Sequence, residues 1–229
     1  MSVQAGPAST RAPLPEPEFE VTGAAHLAFA AAPTMIFSAL ASEPGGHEIQ
    51  SLALSVQVMI EPAKRGYDPE TRERLEELFG PPSHWAPATS GLPWAQVAVV
   101  VPAFTEQAMF AIQVPCTFDL EVAATKYFYA VPDGEVPLSF HFNGQIFYRG
   151  PDGRLQVTLI PWSKSASFRM PVASWRAMIA EHYPGGGWIR LREDTLKALN
   201  AHRAARGLPT FDDCVQELLE SPGGQDGAR

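Results

Sequence analysis

Residues 137–160, PLSFHFNGQIFYRGPDGRLQVTLI, decide the fold class of this chain. Leu138, Phe140, Phe142, Ile146 and Tyr148 recur so as to share one face of a strand, opposite Ser139, His141, Asn143 and Gln145. The GPDG at 150–153 is a turn, and RLQVTLI at 154–160 alternates again, so the stretch predicts an antiparallel hairpin with one buried face. Working outward, SLALSVQVMIEP (51–62) repeats the pattern, with Leu52, Leu54, Val56, Val58 and Ile60 on one side. Weaker alternation runs through 19–30, 35–41, 95–102, 107–114, 117–131 and 165–170. About nine strands with turn signals between them predict a mainly antiparallel β-sandwich or curved sheet rather than a βαβ fold.

One short helix interrupts this pattern near 69–79, where DPETRERLEELFG places Pro at the start, Leu75, Leu78 and Phe79 on one side, and Gly80 as the stop. After Met170 the period changes to that of a helix. Val172, Trp175 and Ile179 share a face between Pro171 and Pro184. A second helix from about Glu193 to Arg206 is expected to bury Leu196 and Leu199 and to stop at Gly207. A third opens at Thr210, with Asp213 in the capping-box position. The fold class is therefore α+β: a β-rich domain over 19–170, a cap of about three helices over 171–220 packed on the sheet, and disordered ends at 1–18 and 221–229, rich in Pro, Gly and polar residues.

Composition restricts the function classes. Of 229 residues 45% are hydrophobic, yet no apolar run reaches the length that spans a bilayer, so membrane insertion is not expected. The Ala-rich 24–33 follows Glu16, Glu18 and Glu20, the wrong charge for a secretory signal. A net charge of −8 opposes binding to phosphate backbones, and nucleic acid is not an expected partner. Cys116 and Cys214 stand far apart without a CxxC, which fits neither a disulfide framework nor a zinc knuckle, and cytoplasmic localisation is the default.

No stretch carries a catalytic signature. YPGGGWIRLRED (183–194) has glycines and basic residues, but they follow a helix and Pro184 and lack the Lys-Ser/Thr of a phosphate loop, so it reads as a helix terminator. No serine sits in GxSxG, and Cys116 reads as a packed thiol. His26, His47, His84, His141, His182 and His202 form no HxH, HxxxH or HExxH, and neither metal nor cofactor is implied. His141, on the wetter face of its strand, and Asp119 with Glu121, about 7 Å apart on one expected strand face, are candidates for a pocket between the sheets. Trp162, Trp175 and Trp188, with Arg190 nearby, form an aromatic group that serves either as core or as a partner-binding face.

The same region carries a resemblance. The Pro161-Trp162-x-Lys164 turn, Trp175, the Pro184 and Trp188 pair, and the Gly207-x-Pro209 step, together with SVQVMIEPAKRGYD and VPCTFDLEVAATKYF, are similar to an uncharacterised bacterial family found near genes of high-affinity nickel–iron hydrogenases. That resemblance implies a non-enzymatic accessory protein that binds a hydrogenase subunit or maturation factor, with Trp162, Lys164, Trp175, Trp188 and Arg190 as candidate contacts. It transfers no catalytic residue. A looser architectural likeness to SecB-type export chaperones implies an acidic homo-oligomer that binds extended clients. The alternative is a small-molecule or metal-binding enzyme built on His141, Asp119 and Glu121.

Overall fold

The computed structural model describes residues 13–81, 85, 91–117, 119, 122–186 and 189–220. Among these, eight strands form two antiparallel sheets accompanied by five α-helices. The first sheet has the order β1 (Glu18–His26), β2 (Thr34–Ser42), β5 (Gln107–Pro115). The second has β4 (Leu92–Val101), β3 (Ile49–Ile60) and β6 (Glu135–Arg149), with β7 (Leu155–Leu159) and β8 (Ser165–Pro171) both on β6. The five apolar residues read on one face of β3 are buried, as are Leu138, Phe140, Phe142, Ile146 and Tyr148 of β6. Alternation thus places the strands, because each sheet buries one face against the other.

The inner faces meet through rings. Phe37 of β2 packs edge-on to Trp94 of β4 and Phe140 of β6, with centroids 5.8 and 5.0 Å apart, and Phe19 of β1 stacks on Phe142 at 4.2 Å. These rings occupy the space between the sheets where a pocket was expected around His141, and the His141 side chain is instead on the opposite, exposed face of β6.

The fifteen-residue β6 serves two partners on one edge. Its first half, 135–141, pairs with β8, and 145–149 pairs with β7. Between Gln145↔Leu159 and His141↔Ser165, β6 advances four residues while the facing chain advances six. The two extra residues are taken up in the turn Pro161–Lys164, closed by Lys164 N–H donating to Pro161 O at 3.1 Å. β7 and β8 are therefore one interrupted strand, with Trp162 extruded where it breaks. Gly144 marks the junction: its φ is +138°, and a Cβ there would come within 2.0 Å of Ala53 O. Only glycine lets β3 approach so closely.

Helix α1 (Pro69–Phe79) begins where Asp68 accepts hydrogen bonds from the Thr71 N–H (2.9 Å) and hydroxyl (2.6 Å), an N-cap the sequence pattern did not single out. The strand expected over 117–131 is instead helix α2 (Ala123–Ala130). Tyr, Phe, Thr and Val suggested a strand, but Ala124, Tyr127, Phe128 and Val131 recur at helical spacing and are buried. Asp119 precedes the helix, its carbonyl accepting from Val122 N–H at 3.0 Å, and Glu121, the other member of the expected carboxylate pair, lies outside the described residues.

Two compact units are present, Met1–Gly187 and Trp188–Arg229. Helix α3 (Val172–His182) belongs to the first, and buries Val172, Trp175, Met178 and Ile179. Pro15 and Pro17 are buried, so the chain is already packed where the disordered arm was expected to continue; residues 1–12 and 221–229 lie outside the described residues. The second unit holds α4 (Glu193–Arg206) and α5 (Phe211–Glu220). Gly207 at φ +68° ends α4 with a Schellman arrangement, its N–H on Ala204 O and that of Leu208 on Arg203 O. Thr210 and Asp213 complete the reciprocal capping box, with both N–H···O distances 3.0 Å. Leu196 is exposed, against expectation, and Leu199 only half-buried. A helix pair of this size has little apolar volume in which to bury them.

Candidate functional site

The exposed surface of β7 and the turn after it stand out chemically. Leu155, Val157 and Leu159 alternate along one face of β7 and are 61, 54 and 69% exposed, and Trp162 is 90% exposed. Gln156 and Thr158 alternate with them on the other face, where Gln156 Oε1 accepts from Tyr148 Oη at 2.8 Å. β1 packs beside β8 and β5 beside β4, whereas β7 is paired along β6 alone. Among the described residues the result is an unpaired strand edge flanked by apolar side chains, which natural sheets usually blunt with Lys, Pro or a covering element.

Of the aromatic group singled out from the sequence, this surface contains Trp162, and Lys164 half-buried at the far end of its turn. Lys164 is held through its backbone, its carbonyl accepting from Phe142 N–H at 2.9 Å. Trp175 is a correction: it is 2% exposed and stacks on Phe128 with centroids 5.1 Å apart and planes at 15°, so it is core and cannot touch a partner. Arg190 is exposed within the second unit, and Trp188 lies outside the described residues. The glycine-rich stretch does end a helix, with Gly185 at φ +68° and Gly186 N–H on Tyr183 O.

His141 joins a polar chain on the outer face of the second sheet. Ser139 donates its hydroxyl to Glu61 Oε1 at 2.6 Å, and His141 Nε2 lies 3.2 Å from the Ser139 oxygen. With that proton committed to Glu61, His141 serves Ser139 as a donor. A nucleophilic serine requires the reverse polarity, giving its proton to the base. Cys116 is also unsuited to attack: burial pushes its thiol up to about 12, while nucleophilic cysteines are depressed. Among the described residues no three His, Cys, Asp or Glu side chains group so as to hold a metal ion. None of the described helices is long and apolar enough to cross a membrane.

Two polar clusters escaped the sequence reading. In the turn Glu43-Pro-Gly-Gly-His47, the buried Glu43 accepts from Gly45 N–H (2.9 Å) and faces His47 Nδ1 (3.0 Å), while His47 Nε2 lies 2.9 Å from Pro13 O. A carbonyl only accepts, so Nε2 donates to Pro13 O. This pins the N-terminal segment to the domain. Any side chain on Gly45 would come 2.6 Å from that carboxylate. The Glu43–His47 spacing of four across Pro-Gly-Gly was the available signal. The second cluster is a cleft of about 370 Å³ lined by Arg65, Tyr67, Arg72 and Trp85. Tyr67 Oη lies 2.8 Å from Tyr127 Oη, and burial raises both phenols above their usual range.

Among known proteins, the model of a family of unknown function, DUF6084, matches residues 14–226. The chain belongs to that family. No curated protein matches it. Solved structures resemble it loosely. An Arabidopsis thaliana protein, AT1g01470, superposes with a TM-score of 0.42 at 9% identity, covering 84% of this chain and 95% of its own. The CARDB domain of a Pyrococcus furiosus protein, solved with di-metal ions, gives 0.29 at 9% identity, covering 69% and 92%. Neither likeness bears on what this DUF6084 member does.

Proposed function

We propose that this DUF6084 member is a non-enzymatic accessory protein that takes an extended segment of a protein partner onto the open edge of β7, with Trp162 as the anchoring side chain. One observation carries the reading: the uncovered strand edge bears Leu155, Val157 and Leu159 on its face and ends at a Trp that is 90% exposed. Strand addition draws affinity from main-chain hydrogen bonds and selectivity from alternate side chains, and a bulky aromatic beside such an edge is a common hot spot. The turn that carries Trp162 and Lys164 is also a marker of the resemblance to hydrogenase-neighbouring proteins. The partner proposed is accordingly a subunit or maturation factor of a nickel–iron hydrogenase or related redox complex, met in the cytoplasm.

A second reading, a chaperone for extended clients in the manner of SecB, is favoured by the same edge, since backbone pairing accepts many sequences. Pull-down of the tagged full-length protein from its native cells, followed by mass spectrometry, separates the two. Val157→Lys and Trp162→Ala, each checked for native circular dichroism, serve as controls. Hydrogenase components recovered with the wild type and lost with both variants support the accessory role. A broad client set, lost in the same way, supports the chaperone. Equal recovery with wild type and variants overturns the assignment to β7.

A further inference from the structure

The β7 edge is also self-complementary. Ile160 N–H donates to Gly144 O at 3.0 Å and Gly150 N–H to Arg154 O at 2.9 Å, so the even-numbered residues of this segment direct their backbone groups at β6. Directions alternate along an antiparallel ladder. The N–H and C=O groups of Leu155, Val157 and Leu159 therefore face the open side. We propose that β7 pairs antiparallel with β7 of a second copy of this chain about a two-fold axis at Val157. Leu155 then faces Leu159 of the second copy and Val157 faces its own equivalent, each pair exchanging two N–H···O bonds. The three exposed side chains of each copy meet in one cross-strand apolar row. Residues 155–159, LQVTL, contain no charge, so self-pairing sets no like charges opposite one another, and Arg154 comes opposite Ile160.

Such an interface is isologous and closes as a dimer instead of propagating. A five-residue strand and one Trp fall short of the roughly 800 Å² per partner of a stable complex. The dimer is therefore weak, with a dissociation constant on the order of tens of micromolar or higher. It occupies the edge offered above to a partner, so partner and second copy exclude each other, but the self-pairing stands without the partner reading.

Sedimentation velocity of the full chain over a concentration series tests it. The wild-type average mass should climb from 24.9 kDa toward twice that value. Val157→Lys, which opposes two ammonium groups at the axis, should weaken association roughly tenfold or more. Leu155→Lys with Leu159→Glu places opposite charges across each pair and should restore a dimer that salt weakens. Hydrogen exchange on the wild type needs no variant: the amides of Leu155, Val157 and Leu159 should slow as concentration rises. A wild type that stays monomeric, or amides whose exchange ignores concentration, overturns the proposal. So does a dimer indifferent to Val157→Lys in a folded protein. If the wild type is monomeric and Val157→Lys still loses the cellular partner, self-pairing fails while partner capture stands.

Discussion

Trp175→Ala is the perturbation that separates core from contact surface among the tryptophans. The indole is 2% exposed and lies flat on Phe128, which in turn packs on Trp94 at 4.9 Å. A buried aromatic removes about 150–250 Å² from water, worth about 4–6 kcal/mol at about 25 cal/mol per Å². The retained Ala methyl reduces this, and measured truncations of buried Phe and Trp cost about 3–5 kcal/mol. A loss of about 4 kcal/mol is a large part of the roughly 5–15 kcal/mol that holds a domain folded. It lowers Tm by about 8–16 °C for a chain of this size. Urea unfolding followed by far-UV circular dichroism reads it as a lower midpoint at unchanged slope. Trp162→Ala, measured beside it, should stay within about 0.5 kcal/mol of the wild type, as exposed positions do. A Trp175→Ala loss under about 1 kcal/mol would refute the claim that α3 is anchored through this ring.

Gly144→Ala should cost about 3–5 kcal/mol, since it adds a methyl against Ala53 O and forces a positive φ on a residue with a Cβ; normal thermal stability would contradict the close β3–β6 approach. Cys116 should resist iodoacetamide in the folded state at pH 8 and react once the chain is unfolded, because burial holds the thiol protonated. Its folded pKa is raised, so the native state keeps a proton that the unfolded chain releases, and its contribution to stability falls as pH climbs above about 9. Asp68 has the opposite sign: hydrogen bonds from Thr71 hold its carboxyl below the usual range. Its contribution is present above the unfolded value and fades as pH falls through the folded one, and Asp68→Asn should flatten that part of the acid unfolding profile. Gly45→Ala should split the Glu43–His47 contact and loosen residues 13–17, read as faster proteolysis of the N-terminal segment in the folded protein.

The sheets were legible because a strand half-buried against a second sheet must alternate, and β3 and β6 state that alternation over long runs. The ends of α4 and α5 were legible for a similar reason, since Gly207 and the Thr210–Asp213 pair satisfy backbone groups within a few residues of themselves. Residues 123–131 were not, because intrinsic β preference of Tyr, Phe, Thr and Val competes with a helical period that emerges only when Ala124, Tyr127 and Phe128 find a core to enter. The candidate site was half legible. Its Pro161–Lys164 turn stood out as a marker, but periodicity assigns Trp162 and Trp175 no burial. Burial depends on what else occupies the space above each ring, and that is set by residues far away in the chain.

By itself, then, the sequence determined most of the strands and helices and where several of them stop, though not the helix at 123–130; it also determined that the chain is acidic and without a catalytic signature. Only the tertiary structure decided that Trp175 is core, that Ser139 gives its proton to Glu61 rather than to His141, and that β7 has β6 as its one paired neighbour among the described residues. The physical reason is common to all three. Local pattern encodes which face of an element is apolar, whereas register and sheet order decide what meets that face. At β7 the order of strands ends among the described residues, leaving the side chains of Leu155, Val157 and Leu159 exposed and their own backbone N–H and C=O groups on the open side.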